Sequence, residues 1–153
     1  MKNVFSLLFF IFIITCNNLE HSKKLEVSKS FFIYQKPEYN NLQEANFPVD
    51  LIYPSAKIRY FVHLERTGIW SPDQYALLLE VENPNTSHIL NFYKNIMKIK
   101  EWQILQSKTI KGHNSTINFI NAQDFFNRNL SILIEDTKKK ARIKIYIKKL
   151  TDE

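Results

Sequence analysis

The chain has 153 residues, a formal charge of +6 from 21 Lys and Arg against 15 Asp and Glu, 14% aromatic residues, two glycines and one cysteine. That length suits one domain with one core rather than two. Gly68 and Gly112 stand too far apart to write a glycine-rich phosphate loop or a dinucleotide fingerprint, which argues against a nucleotide enzyme of either kind. A single cysteine permits no intramolecular disulfide and no cysteine-built zinc site, and His21, His63, His88 and His113 have no paired ligand spacing. No metal and no cofactor is expected.

Lys2 gives a short positive start, and residues 4–14 are an almost unbroken apolar run ending at Thr15-Cys16. A spanning helix needs about 20 apolar residues and a secretory signal about 7 to 15, so the run reads as a signal peptide over residues 1–15. No small-x-small cleavage site follows; the cysteine stands where the apolar stretch stops. Ile13-Ile14-Thr15-Cys16 resembles a bacterial lipobox, departing from it at Thr15, where glycine, alanine or serine is usual, and at Ile13, where leucine is usual. The resemblance implies that the Cys16 thiol is diacylated, the preceding peptide removed, and the protein held at a membrane of the bacterial cell envelope with its domain in water. Two or more acyl chains, at about 0.8 kcal/mol per buried methylene, hold a protein where one chain binds only marginally. The competing reading is an inert cysteine after an uncut hydrophobic segment.

Residues 16–46 are polar and poorly periodic, and read as a lipidated N-terminus and tether with one apolar segment, Phe31-Phe32-Ile33-Tyr34, that either adds a strand or packs on the domain. From residue 47 to 153 the periods are clear. Ile58, Tyr60, Val62 and Leu64 alternate as a half-buried strand does, and Tyr75, Leu77, Leu79 and Val81 repeat the pattern. Thr67-Gly68 and Ser71-Pro72-Asp73 supply turn chemistry between them, predicting an antiparallel pair. Asn83-Pro84-Asn85-Thr86 ends the strand and offers an N-cap. Ile89, Phe92, Tyr93 and Ile96 then follow at helical spacing, with the helix running to about Lys100.

Four further alternating runs predict four more strands: one around Trp102, Ile104 and Gln106; one around Ile117 and Phe119; one at Leu130, Ile132 and Ile134; and one at Ile143, Ile145 and Ile147. Residues 135–140 are polar and short enough for a hairpin turn between the last two. The fold expected is α+β: an antiparallel sheet of about six strands, in the order β-β-α-β-β-β-β, with one amphipathic helix packed on one face.

Tyr53-Pro54-Ser55-Ala56 leading into a strand, Phe92-Tyr93 on the helix and Trp102 just after it make residues 47–150 resemble small bacterial envelope lipoproteins. The resemblance implies a fold and a location and no particular reaction. Ser55 and Glu101 stand where glycine is common in that pattern, which suggests a helix end built without a left-handed cap. By their spacing, Phe92, Tyr93 and Trp102 are core residues rather than a ligand box.

Candidate chemistry is sparse. Glu80 and Glu82 share a strand face and Glu135-Asp136 lie in a turn, but nothing brings either pair to a cleft as general acid and base would require. His63 and Glu65 share a strand face without a second histidine or a nucleophile tied to them by spacing. Asn-x-Ser/Thr triplets at Asn85, Asn114 and Asn129 are glycan acceptors only in cells that glycosylate. The basic end stands apart. Residues 138–149 hold Lys138, Lys139, Lys140, Arg142, Lys144, Lys148 and Lys149 with no acid, and alternation puts Arg142, Lys144 and Lys148 on the same side as Tyr146. Such a stripe suits an anionic lipid headgroup, envelope polysaccharide or host glycan, and the envelope location argues against nucleic acid. The alternative role is protection of a sheet face or edge from aggregation. The protein expected is a membrane-anchored binding or structural module of the envelope with no catalytic residue, against the alternative of a secreted or periplasmic hydrolase.

Overall fold

A computed structural model of the chain describes residues 23–28, 31–65, 73–137 and 139–149. The apolar run at 4–14, Cys16, Lys138 and the turn residues Thr67, Gly68, Ser71 and Pro72 lie outside the described residues. Strands β1 (Lys23–Ser28) and β2 (Phe31–Gln35) come first, then a short helix α1 (Tyr39–Glu44) and a 3-10 turn at Val49–Leu51. There follow β3 (Lys57–Leu64), β4 (Gln74–Glu82), helix α2 (Thr86–Ile99), β5 (Gln103–Lys111), β6 (Thr116–Gln123), β7 (Arg128–Asp136) and β8 (Lys140–Lys149). All eight strands form one sheet in the order β1-β2-β3-β4-β8-β7-β6-β5, with every neighbouring pair antiparallel. The class is α+β as expected, with two strands more than the expected six.

Alternation decides which side of the sheet is covered. Leu77, Ile145 and Ile132 stand opposite one another across β4, β8 and β7, as do Leu79, Ile143 and Ile134, and all six are buried. On this face α2 lays Ile89, Tyr93 and Met97, spaced four apart and fully buried. The helix is the crossover between β4 and β5, which run parallel four places apart in the sheet. Its N-terminal end is fixed by one local and one long-range contact. The Asn85 side chain accepts from the His88 amide at 3.2 Å, making Asn85 the N-cap, and the Thr86 hydroxyl donates to the Asp136 carboxylate at the end of β7.

The C-terminal end differs from expectation. Glu101 adopts φ 57°, the Trp102 amide donates to the Met97 carbonyl at 2.8 Å, and the Glu101 amide donates to that of Lys98 at 3.3 Å. This is the left-handed cap in full, built on a glutamate where the resembling pattern has glycine. Burial of Trp102 against the core holds Glu101 in that conformation. The same pair of bonds closes α1 at Asn46, which has φ 56°, through Phe47 to Leu42 and Asn46 to Gln43.

The boundary at residue 47 also moves. Much of the segment expected as a tether belongs to the sheet and its covering layer: β2 pairs with β3 from Phe31 opposite Leu64 to Gln35 opposite Tyr60. Ile33, Tyr34, Leu42, Ala45 and Phe47 are buried. Main-chain pairing does not depend on polar composition, and β1 at the sheet edge needs only one partner, so low apolar content does not forbid either strand.

Two substitutions test these features by urea denaturation. Leu42→Ala should cost about 2–5 kcal/mol, as a fully buried leucine does, and a cost under about 0.5 kcal/mol would put α1 outside the cooperative unit. Glu101→Gly should stabilise by about 1 kcal/mol by relieving left-handed strain, and a loss of stability would contradict the cap.

Candidate binding face

β8 lies between β4 and β7, near the middle of the sheet, and its two faces are chemically opposite. Ala141, Ile143, Ile145 and Ile147 point into the core, and Arg142, Lys144, Tyr146 and Lys148 share the face away from the helices. The four stripe residues are therefore brought together as the alternation requires, on a central strand and not on an edge. Protection of an edge is thus not their role.

The register names their neighbours. Arg142 stands between Glu80 and Glu135, Lys144 between Leu78 and Leu133, Tyr146 between Ala76 and Ser131, and Lys148 between Gln74 and Asn129. The Tyr146 hydroxyl donates to Gln74 Oε1 at 2.6 Å, and burial raises its pKa, so the phenol stays protonated at neutral pH. Val62 and Leu78, on the same face beside the stripe, are nearly buried. The face is therefore a mixed surface, with basic groups at intervals along an apolar and aromatic floor.

At the Arg142 end the charges are cross-linked. Glu80 accepts from Arg59 Nη2 at 2.6 Å and from Lys140 Nζ at 3.2 Å, and Glu82 pairs with Lys57 at 2.9 Å. Burial opposes the charged form of Glu80, but the hydrogen bonds from Arg59 and Lys140 outweigh it and hold the carboxyl below its ordinary value. The paired carboxylates thus serve as acceptors for basic neighbours across the sheet. Asp136 is likewise engaged, by Thr86.

His63 and Glu65 do not form a site together. Glu65 lies exposed past the end of β3, whereas His63 faces the covered side at 7% exposure, stacked on Tyr75 with ring centroids 4.8 Å apart. Its Nε2 is 3.9 Å from Asp73 Oδ1, beyond hydrogen-bond distance. Burial lowers the His63 pKa below 6.5, against the opposing pull of Asp73 and Glu65.

Tyr53, Phe92 and Tyr93, three of the aromatic residues singled out in the sequence, meet in space. Tyr53 packs edge-on against Phe92 at 5.2 Å, Phe92 against Tyr93 at 5.1 Å, and the buried Tyr93 hydroxyl donates to the Leu51 carbonyl at 3.2 Å. Their role is to lock the loop before β3 onto α2. Beside them runs an open, shallow groove of about 560 Å³ between Pro54-Ser55 and the outer helix residues His88, Asn91 and Asn95. Local patterning also did not reveal the β6–β7 turn. There Asp124, nearly buried, accepts from the Phe126 and Arg128 amides at 3.0 and 2.8 Å and from Arg128 Nε at 2.6 Å. This holds the guanidinium 5.4 Å from the Trp102 ring.

Among the described residues, no group of three His, Cys, Asp or Glu side chains could hold a metal ion, and no helix is long and apolar enough to cross a membrane. No family model and no curated protein matches the chain.

The His63 shift predicts a pH dependence with a definite sign. Below 6.5 the unfolded chain takes up a proton that the folded protein resists, so the stability from neutral His63 is present above 6.5 and declines as pH falls below it. Denaturation midpoints measured between pH 7.5 and pH 5.5 should fall, and His63→Asn should flatten that dependence. An unchanged slope in the variant would contradict the assignment.

Proposed function

We propose that this protein is a lipid-anchored module of the bacterial cell envelope that binds an anionic partner through the uncovered face of its sheet and catalyses no reaction. The observation that carries the reading is the common position of Arg142, Lys144, Tyr146 and Lys148 on the face away from the helices, in the strand between β4 and β7. On this central strand Arg142 and Lys144 stand two residues apart, about 6.6 Å, and Lys148 lies four residues further with Tyr146 between, which suits repeated phosphate or carboxylate groups. The nearly buried Val62 and Leu78 and the hydrogen-bonded Tyr146 make the floor under those cations stiff. Anionic headgroups and acidic glycans share this chemistry, and the choice between them belongs to the experiment.

The anchor part of the reading rests on Cys16 after the apolar run at 4–14. Six residues separate Cys16 from Lys23, the start of β1, a reach of at most about 25 Å. β1 starts from the end of the sheet that also carries the β7–β8 turn, as its pairing of Lys23 with Gln35 requires. An acylated Cys16 therefore holds that end near the bilayer, with the basic strand rising from it.

Two measurements test the two parts separately. Intact mass of the protein from its native membrane should show acyl mass on a chain beginning at Cys16, and Cys16→Ala should lose both the acyl mass and detergent partitioning. Unacylated protein in both cases overturns the anchor. Binding to vesicles rich in anionic lipid and to an acidic polysaccharide should weaken with salt, and combined Arg142→Gln, Lys144→Gln and Lys148→Gln should weaken it on the order of 100-fold at about 1 kcal/mol per charge. Equal binding by the triple variant at low salt overturns the binding face.

A further inference from the structure

The strand registers lay out the uncovered face as rows running across the sheet, and the rows differ in chemistry. Toward the β7–β8 turn one row is charged, with Glu80, Arg142 and Glu135 side by side. The next holds Leu78, Lys144, Leu133, Phe119 and Lys108, lysines on an apolar floor. Then the character changes. One row reads Ala76, Tyr146, Ser131, Asn121 and Gln106 from β4 to β5. The last reads Gln74, Lys148, Asn129, Gln123 and Gln103. Six of these ten residues are Asn or Gln, none is Asp or Glu, and all are half-buried or exposed.

A carboxamide carries a donor and an acceptor on one planar group. A phosphate or carboxylate oxygen only accepts and so uses half of what such rows offer, whereas a sugar hydroxyl both donates and accepts and uses all of it. The rows are already partly wired. Tyr146 donates to Gln74 Oε1 at 2.6 Å, Ser131 to Asn121 Oδ1 at 3.3 Å, and Gln123 Nε2 to Asn127 Oδ1 at 3.3 Å. Each bond steadies an amide without exhausting its capacity. Asn129, between Lys148 and Gln123, is different: its Oδ1 is shut off from solvent and has no hydrogen-bond partner. An acceptor so placed carries a desolvation cost, and the broad terminal torsion of asparagine lets it turn toward a donor that a ligand supplies. Tyr146, the one aromatic residue of the two rows, stands between the small Ala76 and Ser131 and gives a sugar ring an apolar surface to rest on. Lys148 is their one cation.

We infer that this end of the uncovered face is a polysaccharide site, taking a hydroxyl-rich, sparsely acidic glycan laid across the strands from β4 to β5, with the amides on its hydroxyls and Lys148 on a carboxylate. The inference rests on the proposal that the uncovered face binds an anionic partner, and it names that partner. Neighbouring strands are about 4.8 Å apart, so each row repeats a side chain at an interval close to the length of one sugar in an extended chain, over about 19 Å from β4 to β5. The last row lies six residues along β8 from Arg142, about 20 Å, at the end of the sheet opposite the β7–β8 turn. An acylated Cys16 holds the other end near the bilayer, so these rows face away from the headgroups of the anchoring membrane.

Binding of two kinds of probe to the full chain in neutral detergent, at about 0.15 M salt, tests it. Oligosaccharides of hyaluronan and of polygalacturonate carry hydroxyls and carboxylates, and inorganic polyphosphate carries charge without hydroxyls. The double variant Gln123→Ala and Asn129→Ala should weaken binding of the oligosaccharides about 10-fold or more, as loss of two hydrogen-bonding groups does, and leave polyphosphate binding within about 2-fold. Retained polyphosphate binding also reports that the variant is folded. If the double variant is unstable, Gln103→Ala with Gln106→Ala, both at exposed positions of β5, takes its place with the same expected split. Oligosaccharide binding that the amide variants leave unchanged, or that falls in step with polyphosphate binding in a folded variant, overturns the inference. So does polyphosphate binding without oligosaccharide binding, which leaves the anionic face standing, whereas failure of both probes overturns the face as well.

Discussion

The structure depends on the pairing of β4 with β8. The first four strands form one meander and the last four form another, and only this contact joins the two into a sheet. It runs through nine residue pairs, from Gln74 opposite Lys148 to Glu82 opposite Lys140. The seam therefore waits on the last strand of the chain, and the helix between the meanders has a continuous floor only when it is closed. Because a slip of one residue exchanges the two faces of a strand, the register of β8 decides at once that Ile143, Ile145 and Ile147 enter the core and that Lys144, Tyr146 and Lys148 do not.

Polar contacts mark both ends of this seam. At one end Glu80 gathers Arg59 and Lys140 from the two strands flanking β4, and at the other Tyr146 donates to Gln74. Exposed ion pairs contribute about 0–1 kcal/mol, so their main effect is on register: a slipped strand loses its partners while the apolar rows resist the slip from below. Glu80 adds a pH sense in the same direction as His63, both contributions being lost as pH falls. Its lowered pKa means that its contribution is complete above 4.5 and is lost as pH falls through the lower folded value. Glu80 and its partners thus tie the seam to the basic end of the uncovered face.

Six of the eight strands and the main helix are legible in the sequence because each has a strong period and a clear stop. Asn85 is legible as a cap, and Arg142, Lys144, Tyr146 and Lys148 as a stripe, because both rest on local spacing. β1, β2 and α1 are not. Phe31 to Tyr34 admits either a strand or a packed patch, and the run from Lys23 to Ser28 pairs through its backbone at an edge, where composition has little say. The left-handed Glu101 is hidden for a related reason: glutamate carries no signal for that conformation, which is imposed by burial of Trp102 behind it. Spacing identifies Tyr93 and Trp102 correctly as core, while Phe92 is half-buried against Tyr53. His63 reads as a lone histidine until the register opposes it to Tyr75.

The uneven surface follows from the same arrangement. The helix layer covers the middle of one face, the basic strand occupies the middle of the other, and among the described residues the large apolar side chains left exposed, Tyr39 apart, collect around the β5 edge. Residue-resolved hydrogen exchange on the folded chain tests the central claim most directly, that the two meanders are one unit closed by β8. The account predicts that amides of Leu77, Leu79, Ile143 and Ile145 share the slowest exchange and the full unfolding free energy, with β1 and β5 exchanging faster. Separate limiting free energies for the first and second meanders would contradict it.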